Sequence, residues 1–166
     1  MERAIDIAAY IIQKYKDITG EKIDEMKLHK LLYLTQREAY AILGKPVIAD
    51  PFEGWQHGPV CVCVREAFFD GELFVKTNEI SQEIQYIVDN VLYEYGQYAS
   101  WKLREISHQD SSWINSRKGL KENDPGHVLL SNEDIKNDAA KIRPYDHVWD
   151  MYYDEFDDDE DEVSLV

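Results

Sequence analysis

Cysteine is nearly absent: 166 residues contain only Cys61 and Cys63, separated by a single residue. That spacing strains an intramolecular disulfide and falls short of the usual Cys-x-x-Cys metal or redox spacing. Both therefore read as reduced thiols of the kind that fill small core positions, and a paired metal role would need histidines brought in from His57 or elsewhere. Positive charge is scarce too. Eighteen Lys and Arg face 33 Asp and Glu, leaving a net charge of -15, which argues against direct binding to a nucleic-acid backbone and favours basic partners. No apolar run approaches the roughly 20 residues of a membrane span, and the chain opens on Glu2 and Arg3 before an amphipathic pattern rather than a signal-peptide core. A cytoplasmic protein with no membrane partner is the expectation. A Gly-rich phosphate loop, a nucleophile elbow and a His-Glu-x-x-His pair are all missing, so no enzymatic activity, cofactor or metal is expected. No repeat of solenoid period and no linker divides the chain.

What is present is a globular composition, 44% hydrophobic and 31% charged, sufficient for one core. Ala4, Ile5, Ala8, Ile11, Ile12 and Tyr15 recur at helical spacing up to a stop at Thr19 and Gly20, and Asp24 is placed to cap the next helix. Leu28, Leu31, Leu32, Thr35, Ala39 and Ile42, widened by Tyr33, Leu34 and Tyr40, predict a central helix packed on several sides and ending at Gly44 and Pro46. Residues 46–55 read as an extended connection with room for one short strand. Pro59 suits a helical first turn, so a third helix is predicted from Pro59 to Phe69 with Val60, Val64 and Phe68 inward, although Cys61 to Val64 also has strand character. A short strand over Leu73–Thr77 would pair with the residues before Trp55. Ser81 precedes a stripe from Ile84 to Tyr95 closed by Gly96; Leu103 and Ile106 sit on a following helix ending near His108. Residues 111–123 read as a loop or one helical turn. Ser131 with Asp134 resembles a capping box for a last helix through Ile142, which Pro144 interrupts.

The fold class is therefore mainly α: one compact domain of about five to seven helices, with room for one short β pair, over residues 1–150. Residues 151–166 form an acidic tail, with Trp149 to Phe156 docking aromatics before it. Its block from Asp154 to Glu162 reads first as a solvated tail and second as an electrostatic arm.

Histidines and tryptophans are the remaining signals. His29 lies off the Leu28, Leu31 and Leu32 stripe and is expected at an edge or exposed. Trp55, His57, Gly58 and Pro59 combine two large rings with a forced turn, which suits a core plug or a contact site. His108, Asp110 and Trp113 form a second cluster in which His and Asp could share a proton, but no Ser or Cys beside them has a nucleophile context.

Met26-Lys27-Leu28-His29-Lys30-Leu31-Leu32-Tyr33, then Gly44, Lys45 and Pro46, then Trp55-Gln56-His57-Gly58-Pro59-Val60, follow one another in an order that resembles the SocA-like, or Panacea, domain. A third block, Val91 to Gly96 with Ser100, Trp101, Leu103, His108-Gln109-Asp110 and Trp113, is similar to the family's helix and its Thr-His-x-Glu-x-Pro-Trp stretch. Departures are His29 for glutamine, Ser107 for threonine, Ser112 for the proline before Trp113, and Cys61-Val62-Cys63 where proline is common. The resemblance implies an antitoxin, encoded beside a toxin and neutralising it by direct contact, in a family that includes phage-associated proteins. One branch resembles an adaptor delivering its client to an AAA+ protease, a role in which the apolar ending Ser164, Leu165 and Val166 would serve. At the matched motifs the candidate partner-binding residues are Gln36, Trp55, His57, His108 and Trp113. The partner would be the cognate toxin, a basic one if the acidic tail takes part.

Overall fold

A computed structural model of the chain describes residues 1–71, 73 and 78–142. Within them lie seven helices and one two-stranded antiparallel hairpin. The expected strand beyond Leu73, the helix break at Pro144, the docking of Trp149 to Phe156, the 150/151 boundary, the acidic block and the Ser164 to Val166 ending lie outside the described residues.

Helix α1 (Ala4–Thr19) ends where Gly20 turns left-handed at φ 75. Helix α2 (Glu25–Leu43) begins at Asp24, whose Oδ1 accepts the Lys27 N–H at 2.8 Å. Hairpin strands β1 (Glu53–Trp55) and β2 (Gly58–Val60) follow, then α3 (Val62–Asp70). Helix α4 (Gln82–Tyr95) is capped by Ser81, and α5 (Ser100–His108) and the short α6 (Ser111–Ser116) succeed it. Helix α7 (Asn132–Ala140) is capped by Ser131, which accepts the Asp134 N–H.

Helix α2 is the hub. It packs against α1, α3, α4, α5, α7 and β2, and its residues from Lys27 to Tyr40 are all buried. A helix buried on every side must find partners for its polar groups, because an unpaired buried one carries its full desolvation penalty. Accordingly, the Tyr33 hydroxyl donates to Asp110 Oδ2 at 2.5 Å, and Arg37 Nη1 reaches the same carboxylate at 3.0 Å. Arg37 Nη2 donates to the Tyr95 hydroxyl, which donates in turn to Glu38. Burial alone would lower the Arg37 pKa, but Asp110 reverses this and holds the guanidinium charged. This network ties α2 to α4 and to the α5–α6 junction.

Two expectations are corrected here. The third helix starts at Val62, not Pro59, because Pro59 and Val60 are in β2, paired with Gly54 and Glu53. His29 is buried, not exposed, because the hairpin and residues 125–127 close over that face of α2. The expected strand before Trp55 exists, and among the described residues its partners are β2 and, through a bridge from Glu53, Leu129.

Candidate partner-binding site

The hairpin is where the predicted residues meet. Its turn requires Gly58: φ is 125, and a Cβ there would collide with the Lys30 ammonium beneath it. That ammonium donates to the His57 carbonyl, fixing the hairpin over α2. Burial and the neighbouring Arg104 pull the Lys30 pKa down to about 8.

On one flank, Trp113 donates its indole N–H to the Trp55 carbonyl at 2.8 Å. The His108 ring stacks on Trp113, with centroids 3.7 Å apart and planes 9° from parallel. Burial, then Arg104 and Lys30, depress the His108 pKa to about 4, so the ring is neutral at physiological pH. The same three causes lower His57. Trp101, 65% exposed, borders the groove that runs from Arg104 to His108.

The opposite flank holds a cleft of about 330 Å³ between the first turns of α2, the hairpin, Arg65 of α3 and residues 125–127. Arg65 donates to Glu25 at 2.8 Å and lies over the Trp55 and Phe69 rings. His29 Nε2 meets the same Glu25 oxygen at 3.1 Å. His127 closes the rim, bonded to Glu53 and edge-on to Trp55.

Trp55, His57, His108 and Trp113 thus converge on the two sides of one hairpin. Gln36 does not join them. It is 2% exposed, and its amide accepts the N–H groups of Val47 and Ile48, both at 3.0 Å, and donates to the Ile48 carbonyl. In this conformation it positions the 46–52 connection and is closed to a partner. The proton sharing imagined for His108 and Asp110 is also absent, since Asp110 is engaged by Tyr33 and Arg37. Sequence reasoning missed Glu25, Lys30, Arg65 and His127 at the site. Lys30 sits within the matched α2 motif and was legible there; the other three come from segments whose proximity only folding creates.

The cysteines are free, Cys61 buried and Cys63 half-buried, with Sγ atoms 3.2 Å apart. Among the described residues no three His, Cys, Asp or Glu side chains gather as a metal site would require, and no helix is long and apolar enough to cross a membrane.

The chain matches no curated protein and no solved structure at a significant level. The sequence model of the family described as antitoxin SocA-like, Panacea domain, does match, over residues 28–114. That span is more than half of the chain, running from Leu28 in α2 through the hairpin to Trp113 and Ile114 in α6, so it contains most of the hub helix, the hairpin and the His108–Trp113 flank, while Glu25, Met26 and residues 125–127 of the cleft lie outside it. The chain belongs to the antitoxin SocA-like, Panacea domain family.

Proposed function

We propose that this protein neutralises a cognate toxin by direct protein–protein contact, gripping it with the hairpin end of the domain, and that it does so as a binding protein and not as an enzyme. The observation that carries the reading is the convergence, within a domain of an antitoxin family, of Trp55, His57, His108 and Trp113 around one hairpin, beside the exposed Trp101. Aromatic rings with polar tips are the side chains that anchor protein interfaces. A catalytic reading would draw on His57, His108 and nearby carboxylates, and the nearest of these, Asp110, is ion-paired with Arg37 and not with either histidine. The net charge of -15 suits a basic toxin, approached faster at low ionic strength.

The test is co-expression with the product of the neighbouring open reading frame. A neighbour that stops growth alone, and a pair that grows and co-purifies, is the expected result. A harmless neighbour that fails to co-purify overturns the proposal. Disappearance of the toxin in the presence of this chain, in place of a stable complex, would move the assignment to proteolytic delivery. Removing the residues after Tyr153 should slow association at low salt and not at high salt; equal rates at every salt concentration remove the electrostatic role of the acidic segment.

A further inference from the structure

Once the fold has been accounted for, the cleft beside the hairpin retains polar groups with nothing to bind. The Trp55 indole N–H is shielded from solvent and has no acceptor. His29 is 4% exposed, and its Nδ1 is equally buried and unpartnered. Because Nε2 faces a carboxylate oxygen of Glu25, it is the ring nitrogen that donates, which leaves Nδ1 as an acceptor awaiting a donor. Lys30, 2% exposed, has three ammonium donors, and the His57 carbonyl takes one. Buried polar groups in native folds nearly always have partners, so two such orphans, the Trp55 N–H and His29 Nδ1, on residues that line one cleft mark the place of an absent one.

The chemistry of that absent partner follows from what the cleft offers. The cations that line it are Lys30 and Arg65, against one lining carboxylate, Glu25, which already accepts from both His29 and Arg65; Glu53 is taken up by His127 at the rim. In a chain of net charge -15 this is a local cationic excess, and it calls for an anion. A polyphosphate backbone is repelled by the rest of the molecule. A single carboxylate matches an ammonium and a guanidinium edge. Beside Gln56, His57 and His127, the rest of the lining is apolar, with Met26, Val60, Pro125 and the Trp55 ring, so the anion must come with an apolar body. His29 Nδ1 adds a requirement for one donor N–H. A carboxylate, an adjacent amide N–H and an apolar side chain together describe the C-terminal residue of a polypeptide.

We propose that this cleft captures the C-terminal end of a partner protein. The terminal carboxylate takes the N–H groups of Trp55, Lys30 and Arg65, the terminal amide N–H is accepted by His29, and an apolar last side chain rests against Trp55 and Met26. That the partner is the toxin rests on the function proposed above; the peptide chemistry does not.

The probe is an acetylated hexapeptide ending in leucine with a free carboxylate, compared with the same peptide as its C-terminal amide, titrated into the full chain while following the Trp55 indole N–H resonance. The acid is expected to move that resonance and to bind at least about tenfold more tightly than the amide. Trp55→Phe, which keeps a ring and removes the N–H, and Arg65→Gln, at a partly exposed position, should each weaken the acid about tenfold while the melting temperature falls by no more than about 4 °C. Equal binding of acid and amide, no binding at millimolar peptide, or equal competition by inorganic phosphate would each overturn the proposal. A chain lacking residues 154–166 that binds the probe more tightly would show that the chain's own acidic segment fills the cleft, and the partner assignment would fall. The peptide titration requires no toxin, so a neutralisation failure with intact peptide binding counts against the function alone. Lost peptide binding with intact neutralisation counts against this cleft alone.

Discussion

Gln36 was a candidate contact residue and the fold makes it a structural one, a difference that Gln36→Leu can measure. Leucine has nearly the same volume, so no cavity opens; what changes is that the buried N–H groups of Val47 and Ile48 lose the Oε1 acceptor they share, and the Ile48 carbonyl loses a donor. Each stranded buried group costs about 1–3 kcal/mol, and partial opening of the 46–52 connection to water recovers some of that, giving a net loss of about 3 kcal/mol. For a chain of this length that corresponds to a fall in melting temperature of roughly 6–12 °C. Gln36→Glu keeps the acceptor but buries a carboxylate with one oxygen set against the Ile48 carbonyl, so at neutral pH it should be destabilised at least as much as leucine and recover as the pH falls and the protonated carboxyl donates there. Calorimetry of the three proteins, with toxin capture measured on each below its melting temperature, decides the matter. A leucine variant that melts within about 2 °C of wild type yet no longer captures the partner would refute the structural assignment.

Gly58→Ala combines a left-handed φ with a collision at Lys30, so urea denaturation should register a loss of at least about 2 kcal/mol; an unchanged midpoint would mean that the hairpin is not seated on Lys30. His108 has a folded pKa of about 4 against an ordinary 6.5, so its contribution to stability is complete above pH ~6.5 and lost as pH falls toward 4. Discounted for its partial exposure, the contribution is about 1–2 kcal/mol, and His108→Phe, which keeps the stack on Trp113, should flatten part of the stability-versus-pH slope in that window; an unaltered slope counts against the depressed pKa. Cys63 should be alkylated by iodoacetamide before Cys61, because the Cys61 thiol is buried and pushed up by its contact with Cys63, whose own pKa is lowered; peptide mass spectrometry reporting the reverse order would contradict the packing.

The legible part of the fold was local. The stripe from Leu28 to Ile42 with Asp24 before it and Gly44 after it marks α2, and Ser81 and Ser131 mark the starts of α4 and α7, because these signals lie within a turn of the helix they begin or end. Two other starts, that of α1, which its apolar spacing places at Ala4, and that of α6, carry no local cap, because their caps come from elsewhere. The Ala4 N–H at the head of α1 donates to Asp50, and the Ser111 and Ser112 N–H groups of α6 donate to Asp138 on α7. The start of α3 was misread because Pro59 satisfies the rules for a helical first turn and for a strand end alike; pairing with Gly54 selected the strand.

At the site the same division holds. Sequence by itself determined which residue types were available at the family's motifs, and Trp55, His57, His108 and Trp113 do meet. It also determined the helical class and the acidic balance, since helical periodicity and net charge are properties of the string of residues. Tertiary structure alone decided that His29 is buried, that Gln36 faces the connection after α2, and that Glu25, Lys30, Arg65 and His127 line a cleft with one unpaired donor, on Trp55, and one unpaired acceptor, on His29. Those outcomes depend on which segments close over α2, and a helix that will be covered on all sides looks, from its own residues, like one with a free face.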